Sequence, residues 1–220
     1  CHDTRRDLRP PDSHPLDLSS PDKPPACPAG MVLLSKKVCM DRHEAPNTPG
    51  QLPLVMYTFT ESELWCKARA KRLCFDDEWT LACASPSGTN PYPYGAKHQP
   101  GVCNDDKKWK TYSQTKLNGW PKAASSPQVA TLPQLLAAAG AVSSTAKTAA
   151  DHIQALYQGT AAGAKKGCVG PAGVFDLVGN VEEWTRRRDG GRTQLHGAPK
   201  GRYWAEPRTC HSAVKTHGDA

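Results

Sequence analysis

Metal-finger spacing is missing from this chain: no Cys-x-x-Cys pair and no His-x-x-x-His pair occurs, and the eight histidines are scattered. A structural zinc ion needs ligands that converge tetrahedrally, so the sequence argues against zinc. Long apolar runs are missing too, and with them any visible signal stretch or membrane-spanning helix. Gly-x-Ser-x-Gly, His-Glu-x-x-His, Walker and Rossmann patterns are all absent, which removes the common hydrolase, metalloprotease and nucleotide-binding signatures. His43-Glu44 stands alone and is a weak motif. No internal repeat is visible. Aromatic residues make up only 7% of the chain while prolines number 20, a composition that favours loops over regular structure.

What is present begins with nine cysteines among 220 residues. That density points to an oxidising compartment and to disulfides. The odd count leaves one over, and Cys1 is the natural candidate. A first-position cysteine has a specific meaning, since a mature bacterial lipoprotein starts with a lipidated cysteine after signal cleavage. An arbitrary boundary is the competing explanation. Residues 2–26, rich in Pro, Asp, Arg and Ser, lack an apolar pattern and read as a flexible tether. The expected organisation is therefore a lipoprotein tether over 1–26 and a folded domain over 27–220. Its expected location is the bacterial cell envelope or surface, with a membrane partner through Cys1. The net charge is +7, but the positive residues are dispersed. The one run, Arg186-Arg187-Arg188, meets Asp189 at once, so a solvated loop explains it better than nucleic-acid binding.

Along the domain, Met31-Val32-Leu33-Leu34 predicts a buried strand, and a Cys27–Cys39 disulfide would staple a hairpin there. Residues 40–58 carry Pro46, Pro49, Gly50 and Pro53 and read as loop. Thr60 and Glu63 have capping-box spacing and predict a helix start, with Lys71-Arg72-Leu73 at its end. Asp76, Asp77 and Glu78 predict a second helix, its acidic first turn suited to the helix dipole. Residues 84–128 read as long ordered loops. Residues 131–162 predict helix at both ends, with a connector over residues 141–145.

One segment, Phe175-Asp176-Leu177-Val178-Gly179-Asn180-Val181-Glu182-Glu183-Trp184, combines a mid-segment Gly-Asn turn, flanking acids and a closing tryptophan. It resembles the signature of the formylglycine-generating enzyme family, also called the sulfatase-modifying-factor family. Other segments carry the same resemblance in the family's order. Residues 66–83 read CKARAKRLCFDDEWTLAC, Pro93-Tyr94-Gly95 resembles an aromatic-Pro-aromatic-Gly motif, and Cys103-Asn104 and Leu156-Tyr157-Gln158-Gly159 to Cys168 fit a secreted bacterial subgroup. The matches run from about Cys27 to His217. The resemblance implies an α+β, C-type-lectin-like fold, loop-rich and disulfide-stapled, with two early helices against a small antiparallel sheet. It also implies a Cys83–Cys210 disulfide and, beside the matched motifs, Cys103–Cys168. In the family, Cys66 pairs with a terminal strand that this sequence has not begun by Ala220. Either the domain lacks its last strand, or Cys66 and Cys74 pair with each other, and the second is the expectation for this molecule.

The family's enzymes oxidise a substrate cysteine with oxygen at a copper(I) ion held by two thiolates, which suit that soft metal. Lys200 and Ala205 stand at the matching positions, and 197–209 contains no cysteine. No copper is expected, and no catalytic residue is assigned. His211 and His217 are close in sequence, without a third ligand nearby. The resemblance implies calcium at Asp176, Gly179, Val181 and Glu183, an oxygen set that suits a hard cation; Asp176 and Glu183 capping local turns is the alternative. Asn104 with Asp105 is a weaker second site. Lys200, Arg202, Tyr203 and Trp204 are candidate binding residues, though an ordinary strand would account for them as well. The expected role is non-catalytic binding or structure, with an envelope or extracellular protein or peptide as partner. The alternative is a metal-dependent oxidase with a rebuilt active site.

Overall fold

The computed structural model describes residues 2–3, 27–35, 38–85, 87–122, 126–188, 196–206 and 208–212. The first sheet runs in the order β2-β3-β1-β4, with β1 His2–Asp3, β2 Met31–Ser35, β3 Val38–Asp41 and β4 Lys71–Arg72. β2 and β3 form the hairpin that the apolar run predicts, Met31 opposite Asp41 and Leu33 opposite Cys39. The Cys27–Cys39 disulfide ties it.

His2–Asp3, at the start of the stretch expected as a tether, form a strand of this sheet. His2 faces Met40 of β3 on one side and Arg72 of β4 on the other, both pairings antiparallel. Each neighbouring strand has backbone donors and acceptors to satisfy, and an inserted strand serves both. Cys1 and residues 4–26 lie outside the described residues.

α1 spans Phe59–Lys67 and starts two residues earlier than the Thr60 spacing suggests. The same Thr-x-x-Glu pattern occurs at Thr58 and Glu61, and this pair forms the capping box. Thr58 Oγ1 accepts from the Glu61 amide at 3.2 Å, and Glu61 Oε2 accepts from the Thr58 amide at 2.8 Å. Lys71-Arg72 do not end this helix; they form β4. α2 spans Asp76–Ala84 with Phe75 at the cap position. Asp76 therefore lies inside the helix and does not cap it, while Glu78 Oε2 accepts from the Phe75 amide at 2.8 Å.

The stretch 84–128, expected as loop, contains the four-residue helix α3, Gln114–Leu117. α4 (Leu132–Gly140) and α5 (Ser144–Leu156) form a helical hairpin. Its connector is shorter than predicted, because Ser143 caps α5 by accepting from the Ala146 amide at 3.1 Å. Ser144 and Thr145 are therefore already helical. β5 (Glu183–Arg186) and β6 (Gly197–Lys200) form a second, two-stranded antiparallel sheet. The arginine run is no free loop. Arg186 pairs with Glu63, and Arg188 pairs with Asp77 and lies 4.0 Å over the Phe75 ring.

Two large apolar clusters hold most of these elements, and a small third joins α4 to α5 through Ala139 and Ala150. The first large cluster gathers Val32, Met40, Cys74, Trp79, Leu177 and Val178; the second gathers Phe59, Trp65, Cys66, Leu73, Leu132 and Leu135. Trp79 is fully buried, and burying a side chain of that size stabilises by about 3 kcal/mol. Disulfides Cys83–Cys210 and Cys103–Cys168 cross-link the first cluster. The Cys66–Cys74 pair is not formed. Cys74 is a free, buried thiol, while Cys66 is disulfide-bonded, and not to Cys74. The reason is packing: the two side chains belong to different clusters. The disulfides indicate an oxidising, exported environment. No helix among the described residues is long and apolar enough to cross a membrane.

Candidate functional site

Between the two sheets the chain folds back sharply through residues 175–183. Asp176, Gly179 and Asn180 all have positive φ, at 60°, 77° and 56°. At Gly179 a Cβ would stand 2.4 Å from the Asn104 carbonyl oxygen, so the backbone approach itself requires glycine. That approach aims the Asn180 side chain into the interior, where it is fully buried. Asn180 Nδ2 donates to Glu44 Oε2 at 2.7 Å and to the Thr160 carbonyl at 3.2 Å. Asn180 Oδ1 accepts from Asn104 Nδ2 at 2.9 Å and from the Thr160 amide at 2.8 Å. One amide thus joins four distant segments, and most of its capacity is satisfied.

Three carboxyl groups surround this hub. Glu44 Oε1 also accepts from the Val181 amide at 3.2 Å. Asp176 Oδ2 accepts from the Gly163 amide at 2.7 Å, while its buried Oδ1 has no donor. Glu183 accepts from the Trp79 indole N–H. Burial pushes all three acids up, and repulsion from Asp176 adds to the effect on the other two. Asp176 rises to about 6 and Glu183 to about 7, and Glu44 stands well above its ordinary value.

The consequence for stability has a definite sign. Unfolding returns Glu183 and Asp176 to ordinary values of 4.5 and 3.8, so over the window from about 4 to about 7 the folded state holds more protons than the unfolded one. Stability from these groups is therefore fullest at the acid end and falls as pH rises, by on the order of 3 kcal/mol for each group. Urea unfolding in chelator at pH 5 and 7.5 measures it, and Glu183→Gln is expected to flatten the profile. A stability that rises across the window would show that the acids are ionised and paired in the fold.

Beside the hub opens a cavity of about 720 Å³. Eight Tyr and Trp side chains are among its described lining residues, including five of the six tryptophans. Trp109 and Tyr112, 52% and 50% exposed, continue from its mouth onto the surface. A chain of ring contacts runs from Tyr112 through Trp109 and Tyr203 to Trp204 and Tyr157. Glu44, Glu182 and Glu183 also line the cavity.

The candidate residues separate in the structure. Tyr203 and Trp204 line the cavity. Lys200 does not: it is buried on β6 opposite Glu183, its ammonium 5.2 Å from the Trp79 ring centre, and burial lowers its pKa. Arg202 pairs with Glu182 and Glu206. Asn104 joins the hub through Nδ2, and its buried Oδ1 has no donor. His211 is exposed, and His217 lies outside the described residues. Among the described residues no group of three or more His, Cys, Asp or Glu is placed to hold a metal. Asp176 and Glu183 supply two carboxylates, so a cation here would draw its remaining oxygens from the backbone.

Sequence reasoning missed Glu44, which was visible only as a lone His-Glu pair. It also missed the rings of Trp109 and Tyr112, which looked scattered. Cys74 lines the cavity and is the one free thiol among the described residues, and burial pushes it up to about 12. Such a thiol is protonated and unreactive at neutral pH.

A family model described as the sulfatase-modifying factor enzyme 1-like domain matches residues 30–219. No curated protein matches the chain by sequence.

Proposed function

This chain belongs to the sulfatase-modifying factor family, and on that premise we propose that it is a non-catalytic, C-type-lectin-like binding domain working outside the cytoplasm. The observation that carries this reading is the pairing of a large aromatic cavity with the loss of a thiol pair. Two thiolates are needed to hold copper(I) in the family's enzymes, yet buried Lys200 stands at one matching position and Ala205 at the other. Cys74 alone cannot replace them. The residues present do not fit copper, which also argues against an oxidase with a rebuilt site.

Calcium does fit as a structural ligand. The Asp176 and Glu183 carboxylates and the Gly179 and Val181 carbonyls would form its donor set, and Asn104 would offer a further oxygen. One support stands on the geometry: the buried Asp176 Oδ1 and Asn104 Oδ1 have no donors; the mutual repulsion of the buried acids agrees with it. A bound calcium ion would supply charge compensation and no redox chemistry. Added calcium is then expected to raise stability at pH 7.5 and to abolish its fall between pH 5 and 7.5.

The catalytic question is tested with purified protein, copper(I), oxygen and a cysteine-containing peptide. No aldehyde product and no stoichiometric copper binding are expected. Aldehyde formation on the peptide would overturn the non-catalytic reading.

A further inference from the structure

Exposed aromatic surface is concentrated at the mouth of the cavity. Tyr112, Trp109, Tyr203, Trp204 and Tyr157 stand in file, with successive ring centres 6.4, 5.7, 6.0 and 5.1 Å apart. Interplanar angles of 49° to 77° keep the rings from stacking on one another, so ring faces stay open; Arg202 covers one face of Tyr203. Trp109 and Tyr112 are half exposed and the other three are half-buried. The loop that presents the first two rings is fastened along its length. The Lys107 amide donates to the Trp204 carbonyl at 2.7 Å, Gln158 Nε2 donates to the Lys108 carbonyl at 3.0 Å, and the Ser113 amide donates to His152 Nε2 at 2.8 Å. Two large rings are thus held in water by a fixed backbone, a preorganised surface for a ligand that covers them.

The cavity behind this file selects neither charge. Asp41 is paired with Lys71, and Glu182 with Arg202, which also holds Glu206. Glu44 is buried with both oxygens hydrogen-bonded, and Glu183 belongs to the calcium donors proposed above. Of the lysines in the aromatic loop only Lys110 lines the cavity, and its ammonium donates to the Ala155 carbonyl at 2.7 Å. What remains free is polar without charge: the indole N–H groups of Trp109 and Trp204 and the hydroxyls of Tyr112 and Tyr203 make no hydrogen bond to another described residue.

We propose that this aromatic file binds a neutral glycan of β-linked hexopyranoses; the proposal rests on the binding-domain reading. A hexopyranose with equatorial hydroxyls has two apolar C–H faces and a polar rim. The faces suit tryptophan and tyrosine rings. The rim serves the free indole and phenol groups and the Arg202–Glu182–Glu206 cluster, which offers donors and acceptors together. The spacing of the rings is comparable to the length of one hexose, so successive units meet successive rings. An acyl chain or an apolar side chain would cover the same rings and leave their N–H and O–H groups without acceptors, which is unfavourable. An extended peptide docks on unpaired backbone groups, and Lys107, Lys108 and Ser113 use theirs within the fold.

The test is titration of the full chain, in calcium, with cellohexaose, read by calorimetry and by tryptophan fluorescence. Cellobiose, maltohexaose and the peptide Ac-Gly-Ala-Leu-Ala-Gly-NH2 are the comparison probes. Cellohexaose is expected to bind about 10-fold or more tightly than cellobiose, because further units reach further rings. Maltohexaose, whose α-linkages curve the chain away from a row of rings, is expected to bind about 5-fold more weakly than cellohexaose. Trp109→Ala and Tyr112→Ala lie at exposed positions that leave the fold intact. Each should weaken cellohexaose about 5-fold, and the two together should bring it close to cellobiose. Unchanged affinity in both variants overturns the assignment to these rings. Equal binding of cellobiose overturns the extended file, and equal binding of maltohexaose overturns the β-linkage. Tighter binding of the peptide than of every sugar overturns the glycan and leaves the binding-domain reading intact. Failure of all the sugars overturns the proposal, whereas the non-catalytic reading falls only on aldehyde formation in the copper assay.

Discussion

Asn180→Ala is expected to destabilise the domain by about 4 kcal/mol, as a shift in the urea midpoint at unchanged slope. The substitution strips partners from Glu44 Oε2, Asn104 Nδ2 and the Thr160 amide together, and each buried group left unpaired costs about 1–3 kcal/mol. It also places alanine at a φ of 56°, where asparagine is better tolerated. A domain with 5–15 kcal/mol of total stability would retain little. Asn180→Asp keeps the shape but removes the donor to Glu44 and adds a second acid beside it. Its loss should resemble that of alanine at pH 7.5 and shrink as the pH is lowered. A loss below about 1 kcal/mol for Asn180→Ala would show that water replaces the amide and that the hub is not dry.

The second large effect belongs to Cys83–Cys210, which closes a separation of 127 residues. Restricting so long a loop in the unfolded chain stabilises by about 4–5 kcal/mol in the entropic treatment. The paired substitution Cys83→Ala with Cys210→Ala is therefore expected to lower Tm by about 10 °C or more. Cys27–Cys39 closes a separation of only 12 residues, and its removal should cost less, about 3 kcal/mol. Differential scanning calorimetry of the two double variants ranks them. The reverse order would mean that native-state packing, and not loop closure, governs the contribution of these bonds.

Much of the local structure was legible in residue order because its causes are local. The β2 strand follows from four consecutive apolar residues, and α2 from three acids before Trp79. Both helices of the 131–162 stretch follow from their leucine and alanine pattern. The displaced start of α1 shows the limit of such reasoning. Thr58 and Thr60 each have a glutamate three residues on, and only the backbone conformation at Thr58, extended with ψ 168°, selects between them. The short helix α3 had no apolar period to announce it.

The site divides in the same way. Gly179 and Asn180 are marked in the sequence because a turn of positive φ restricts which residues serve. Tyr203 and Trp204 are marked as large aromatics in the 197–209 window, where the family's copper thiols would stand. Glu44 is not marked, because its importance comes from Asn180, 136 positions away. Cys74 and Lys200 were misplaced for a related reason: whether a thiol finds a partner, or an amine reaches solvent, depends on the cluster into which its element packs. By itself the sequence determined the family, the elements with local periodicity and the missing copper thiols. Only the tertiary structure decided that Trp109, Tyr203 and Trp204 share one cavity with Glu44 and Glu183, since long-range packing brings together side chains whose order in the chain carries no record of their proximity.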